Sequence, residues 1–171
     1  MLRLAKAFLN IALWRQTPAD LPASVLLLVL AAGTAALAEV LGALLPPPPN
    51  GQLVLRVALA VAMPLLFAWV LLALTRRRER FLQTSTALMG VGALAAVVVY
   101  PLTSLSGVLG EQNAVSFPLD VLALALSIGY LLACAHIWRS ALDSSYLLGA
   151  VISLGYLIFS MSVSAQVLLQ S

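Results

Sequence analysis

The residues able to do chemistry in this chain are few and scattered. Of 171 residues, nine are Lys or Arg, six are Asp or Glu, and one each is His and Cys. His136 and Cys134 are two positions apart, so on a helix they point in different directions and cannot chelate together. A metal centre needs several imidazole, thiolate or carboxylate ligands in one place. A single histidine cannot hold a haem between two imidazoles. There is no Ser-His-Asp set, no paired carboxylates, no phosphate-binding Walker loop and no dinucleotide glycine fingerprint. No catalytic, cofactor or metal role is expected. Cys134 lies in an apolar run and reads as a small buried hydrophobe.

The ionisable residues that remain interesting are those embedded in apolar surroundings. Glu39 and Arg56 flank the same proline-rich turn, each a few residues inside an apolar stretch. Charges in hydrocarbon are costly and usually pair or serve a function. These two are expected to form an ion pair fixing the register of a helical hairpin; a gate or proton site is the functional alternative, and a third outcome is that the two snorkel separately to headgroups. His136 stands with Trp138 and Arg139 at the end of another apolar stretch. There it reads as an interfacial residue bonded to a neighbouring helix or a lipid headgroup. Arg76, Arg77, Arg78 and Arg80, with Glu79 among them, form a run of net charge +3. Such a run stops translocation and sets topology. It can also dock anionic lipid or an acidic partner. Nucleic-acid binding is not expected, since no groove-reading motif is present.

Composition identifies what positions these residues. Hydrophobic residues make up 63% and charged residues 9%, and the mean hydropathy is +1.07. Soluble domains run at about 45–50% apolar and about 25% charged. Nine per cent charge cannot cover a water-exposed surface of this size, so the chain reads as a polytopic membrane protein. The apolar runs are continuous rather than alternating with period two. In hydrocarbon an unbroken run must satisfy its own backbone hydrogen bonds, which makes it a helix and not a barrel strand. Five spans of roughly 20 residues each follow, at about 22–45, 53–74, 82–103, 118–138 and 145–168.

Prolines and turn residues punctuate them. Pro22 suits a helical first turn. Pro46 to Pro49 with Asn50-Gly51 make a tight connection. Pro64 should kink the second span. Pro101 ends the third, with 103–110 as a loop; Pro118 opens the fourth. Asp143-Ser144-Ser145 is a short connector with capping residues. With the N-terminus cytoplasmic, eight of the nine basic residues fall inside, and the positive-inside rule then places the C-terminus outside. Residues 1–16 stand apart from the five-span domain at 17–171. Leu2, Leu4, Ala5, Phe8, Leu9, Ala12 and Leu13 alternate with Arg3, Lys6 and Asn10 at helical spacing. This is the pattern of an amphipathic helix lying in the interface, with Trp14 as its anchor. No A-x-A-type cleavage site follows, so it does not read as a signal peptide.

Small residues mark where membrane helices can approach closely. Ala125, Gly129 and Ala133 recur every four positions in the fourth span, Gly92 with Ala96 in the third, and Gly149 with Ser153 and Ser160 with Ser164 in the fifth. These are candidate packing faces within the bundle, or toward a partner where exposed.

Three stretches carry a family resemblance. Arg15-Gln16-Thr17-Pro18-Ala19-Asp20-Leu21-Pro22 precedes the first span. Arg80-Phe81-Leu82-Gln83-Thr84, then Thr86-Ala87-Leu88, enters the third. His136-Ile137-Trp138-Arg139-Ser140-Ala141-Leu142 closes the fourth. With the five-span layout they resemble the Yip family of small polytopic membrane proteins, in particular its bacterial members. The Asp-Leu-Tyr-Gly-Pro motif of the eukaryotic branch is absent. The resemblance implies a fold and topology, and a non-enzymatic interaction or scaffold role in a bacterial inner membrane. Two other classes stay open: an accessory subunit of a larger respiratory or export complex (or a homo-oligomer), and a small transporter or channel using Glu39, Arg56 and His136.

Overall fold

The computed structural model describes residues 2–43, 52–110 and 115–170. The Pro46–Pro49 turn with Asn50-Gly51, and Glu111, lie outside these. Among the described residues the fold is all helical. Helix α1 spans Leu2–Ala12, α2 Val25–Ala43, α3 Gln52–Leu74, α4 Phe81–Leu109, α5 Ser116–Leu142 and α6 Tyr146–Gln170. Single 3₁₀ turns at Pro18–Asp20 and Arg78–Arg80 precede α2 and α4. Helices α2 to α6 are long and apolar enough to cross a membrane, the pattern of a multi-pass membrane protein. Even α2, the shortest with 19 residues, is roughly 28 Å long at 1.5 Å per residue, close to the thickness of a bilayer core.

Helix α4 is the centre of the bundle. It packs along α2 on one side and α5 on the other, and α5 carries α6; α3 rests more lightly on α2 and α4. From Thr84 to Val91 every residue of α4 is buried. Small side chains (Ser85, Ala87, Gly90) let neighbours close in on all sides, which is how membrane helices gain packing contacts without a hydrophobic drive between them. The outward faces carry large apolar side chains, among them Leu26, Val29, Leu66, Leu124 and Ile158. In water these would form a continuous sticky surface; against lipid they are matched.

Three helices end at one pole of the bundle in the same way. Arg15 N–H reaches Asn10 O, Arg77 N–H reaches Leu72 O, and Ser144 N–H reaches Arg139 O. Trp14, Arg76 and Asp143 each adopt positive φ, at 61°, 58° and 46°. Each is a Schellman closure with a side-chain-bearing residue where glycine is usual. Two of these connections then cap the following helix with a hydroxyl. Ser24 Oγ accepts from Leu27 N–H at 3.4 Å and Ser145 Oγ from Leu148 N–H at 3.2 Å, the capping expected of Ser144-Ser145.

Two boundaries differ from the sequence expectation. Pro22 lies ahead of α2, which begins at Val25, and it is Pro18 that occupies a first-turn position, in the 3₁₀ turn. Helix α4 runs through Pro101 to Leu109 instead of giving way to a loop at 103. Proline removes one N–H and crowds the preceding turn. Here Pro101 leaves the Val97 carbonyl without its usual helical donor, and α4 continues past it, as membrane helices allow; just beyond it, the Thr103 hydroxyl donates to Val99 O at 3.2 Å and Tyr100 O at 3.0 Å.

Helix α1 divides its apolar face. Phe8 and Ile11 are buried against the bundle, while Leu9 and Leu13 point outward. The Phe8 ring lies over Gly90, where a Cβ would come within 2.5 Å of it. The amphipathic helix expected to lie in the interface is held by α4 and α5.

Candidate functional site

Two polar clusters stand at opposite poles of the bundle. At the pole away from the arginine run, Glu39 near the end of α2 faces α3 and α4. Arg56 Nη2 lies 3.9 Å from Glu39 Oε1. That is ion-pair distance but longer than a hydrogen bond. The other carboxylate oxygen, Oε2, accepts a hydrogen bond from the Tyr100 hydroxyl. The Arg56 and Glu39 side chains are 35% and 15% exposed. Tyr100 reaches Glu39 because Gly42, one turn along α2, leaves room: a Cβ there would fall 2.0 Å from the Tyr100 ring. Tyr100 was not among the residues singled out in the sequence. It belongs to the site only because α2 and α4 run side by side, a non-local fact that spacing does not contain.

This cluster lines the mouth of a crevice. A hollow of about 340 Å³ is bounded by Glu39, Arg56, Tyr100, Tyr156, Ser160 and Ser164. It shares Glu39, Ala60, Tyr100 and Tyr156 with a deeper hollow of about 260 Å³ between Pro64, Met89, Gly92 and Tyr130. A last space of about 40 Å³ ends beside Phe67, Cys134 and Trp138. Pro64, inside the continuous helix α3 beside the crevice, lines both deeper spaces. If Glu39 and Arg56 interact as the geometry indicates, Glu39→Gln and Arg56→Gln should not be additive. The double variant should lose about 1 kcal/mol less than the two singles summed, the usual size for contacting residues. Thermal melts in one detergent measure this, and strict additivity would separate the two residues.

At the other pole the four arginines divide into two pairs. Arg77 and Arg80 both hold Asp143: Arg77 Nη1 bonds its Oδ2, and Arg80 Nη2 lies 2.8 Å from the same oxygen. Arg80 Nη1 also donates to Ser140 O at 2.9 Å and Ala141 O at 3.2 Å, so a cation closes the carbonyl end of α5. Arg76 and Arg78 are exposed, and their side chains have no bonded partner among the described residues. The run read as one patch is thus half clasp and half free surface. Arg139 is exposed nearby on α5.

Hydrogen bonds from the Arg80 and Arg77 guanidiniums lower the Asp143 carboxyl from its ordinary 3.8 to about 2. A carboxylate depressed by folding contributes stability above its unfolded value and loses it as pH falls through the folded one. Wild type should therefore exceed Asp143→Asn in thermal midpoint by a constant margin above about pH 4, and that margin should close as pH approaches 2. Melts from pH 2 to 7 check it; a margin independent of pH would leave the clasp without a role.

His136 Nε2 lies 3.1 Å from Gln16 O. A carbonyl only accepts, so Nε2 carries the proton. The Trp14 ring sits over His136 and meets Tyr146 edge-on, centroids 6.5 and 5.6 Å apart. Gln83 Nε2 donates to Leu21 O at 2.8 Å and Ala19 O at 3.2 Å. His136 and Gln83 thus fasten the segment joining α1 to α2 onto the bundle. The histidine bonds to a connecting segment and not to a neighbouring helix.

The stripe Ala125, Gly129, Ala133 is divided as well. Ala133 is buried in the core, but Ala125 and Gly129 are exposed, and a Cβ on Gly129 would meet nothing within 4 Å. The inter-helix contact expected of all three is made at Ala133. The close approach of α5 to α6 instead runs through Gly149. Cys134 is buried and free.

Fold and sites together define a five-helix membrane bundle with one polar crevice and one arginine-rich pole. No family model, curated protein or solved structure matches the chain.

Proposed function

We propose that this protein is a non-enzymatic, Yip-like component of a bacterial inner membrane that works by binding partners. Its arginine-rich pole faces the cytoplasm and its C-terminus lies outside. What carries the proposal is the division of the arginine run. Asp143 takes up Arg77 and Arg80, so these maintain the fold. Arg76 and Arg78 stand exposed and are not used by it. Lysine and arginine in a cytoplasmic loop suffice for topology, and each free one adds about 1 kcal/mol toward an anionic surface. They form the docking point for an acidic partner segment or anionic headgroups. The exposed Ala125–Gly129 stretch of α5 supports a second contact, within the membrane, where small residues admit a partner helix.

Photoreactive residues placed at Arg78 and Gly129 in native membranes test this. Discrete protein adducts at both positions are expected, with the Arg78 adduct reduced when Arg76 is also changed to Gln. Lipid adducts alone, together with a native mass of one bare chain after gentle solubilisation, would leave Arg76 and Arg78 to anionic headgroups and contradict the partner-binding role. A partner retained in fixed stoichiometry would identify an accessory subunit instead of a scaffold.

A further inference from the structure

We infer that the crevice between α3 and α6 is a binding site for an amphiphile with a zwitterionic head, an anionic phosphate beside a cationic ammonium. The inference goes beyond the partner-binding role and uses none of the residues assigned to it.

Arg56 carries five N–H donors. Among the described residues the charged group it meets is Glu39, at 3.9 Å, beyond hydrogen-bond reach. Glu39 meanwhile has one oxygen bonded to Tyr100 and the other in ion-pair range of Arg56, at 3.9 Å. Both charges line the hollow of about 340 Å³. At 3.9 Å the pair is not closed to hydrogen-bond distance, and it borders a cavity. The geometry leaves a bonding position on each charge for a group placed beside them.

The charges on the site define the ligand. A bare anion on Arg56 would lie against the Glu39 carboxylate, and a bare cation on Glu39 against the guanidinium. A ligand with both charges meets both partners and adds no net charge to a low-dielectric site. Phosphate suits the guanidinium fork and ammonium suits a carboxylate. The interior defines the remainder. Past Tyr100 the lining turns mainly to Pro64, Leu88, Met89 and Gly92, with Ser127 and Tyr130 among them, and the space narrows to about 40 Å³ beside Phe67, Trp138 and Ser153. A charged mouth over a mostly apolar interior fits a headgroup with a hydrocarbon chain. Arg56 lies four residues into α3, roughly 6 Å from the helix end at 1.5 Å per residue, which is near headgroup depth.

The same head chemistry exists as membrane phosphatidylethanolamine and as soluble phosphoethanolamine, and the experiment separates them. Delipidated full-length protein in one detergent is offered each, and phosphatidylglycerol as a headgroup of net negative charge. Binding is read by native mass spectrometry and by thermal shift. Wild type should bind phosphatidylethanolamine at least about tenfold more tightly than phosphatidylglycerol, the scale of one charge-assisted hydrogen bond. Arg56→Gln should lose that binding. Glu39→Gln should lose the discrimination, because removing the repelling carboxylate admits phosphatidylglycerol; a merely structural pair would not produce that gain. Ala60→Leu, which narrows both hollows and leaves the charges intact, should weaken the lipid if Arg56→Gln fails to fold. A response to soluble phosphoethanolamine as well assigns recognition to the head alone, and a response only to the lipid adds the chain; both uphold the site. Equal binding of the two lipids by wild type, or tight phosphatidylethanolamine binding unchanged in Ala60→Leu, would overturn it.

Discussion

Gly149→Val is expected to disrupt the bundle more than any other single methyl-scale change. Gly149 is buried where α6 crosses α5. A Cβ at this position would fall 2.3 Å from the Ala135 carbonyl oxygen and 3.1 Å from the Arg139 nitrogen. Both are backbone atoms inside a helix, so neither can swing aside as a side chain could. The added atoms must push α6 off α5, and close packing is one of the main attractions between membrane helices. Overpacking ordinarily costs about 1–3 kcal/mol; with backbone on the receiving side, about 3 kcal/mol or failure to assemble is expected. Gly155 on the same helix is the control, since a Cβ there meets nothing within 4 Å. Gly155→Val should melt within about 0.5 kcal/mol of wild type, as an unhindered surface change does. Thermal midpoints of both variants in one detergent decide it: equal midpoints would show that α5 and α6 do not approach this closely.

Trp138→Ala is expected to have the second largest effect. Trp138 is 2% exposed and meets Phe67 edge-on, with centroids 5.7 Å apart at 79°. Phe67 also touches Tyr156, 5.0 Å away. Through these rings α5 reaches α3 and α6 at the blind end of the crevice. Truncating a buried Trp costs about 3–5 kcal/mol, part of it lost transfer and part a residual cavity. In a bilayer the unfolded reference is itself in hydrocarbon, so the transfer part shrinks and packing dominates. The lower figure, about 3 kcal/mol, is therefore expected, a fall of roughly 6–12 °C for a chain of this size. Trp69, 53% exposed on α3, makes no comparable contact, and Trp69→Ala should lose less than about 0.5 kcal/mol. A Trp138→Ala midpoint as high as that of Trp69→Ala would remove this aromatic corner from the account.

The five crossing helices were legible because hydrocarbon leaves an apolar chain only one way to satisfy its backbone. Their ends were legible where a serine or a charge marks them, as at Ser145. They were misread at Pro101, which α4 runs through, because a membrane helix tolerates the loss of the single N–H that a proline removes. The Glu39–Arg56 proximity followed from two charges at equal depth on consecutive helices. Tyr100 did not, because the side-by-side course of α2 and α4 joins segments about sixty positions apart. Asp143 was within reach of sequence reasoning: it shares a pole with the arginine run and is the acid of its connector. Small-residue spacing was the weakest guide. It marks where backbones could approach; Gly149 is used, Ala133 is used, and Ala125 and Gly129 are left facing outward. In a chain this rich in alanine, the choice among such faces is made by the whole bundle and not by one helix.

The central claim is that the chain crosses the membrane five times with its arginine-rich pole inside. Single cysteines report it directly, in a background where buried Cys134 is replaced by alanine. Arg78→Cys lies in the turn between α3 and α4, and Val115→Cys just ahead of α5, both at exposed positions. In intact cells a membrane-impermeant maleimide, given access to the outer face of the inner membrane, should label Val115→Cys at once. Arg78→Cys should react only after that membrane is permeabilised. Labelling of both before permeabilisation, or of Arg78→Cys alone, would contradict the account.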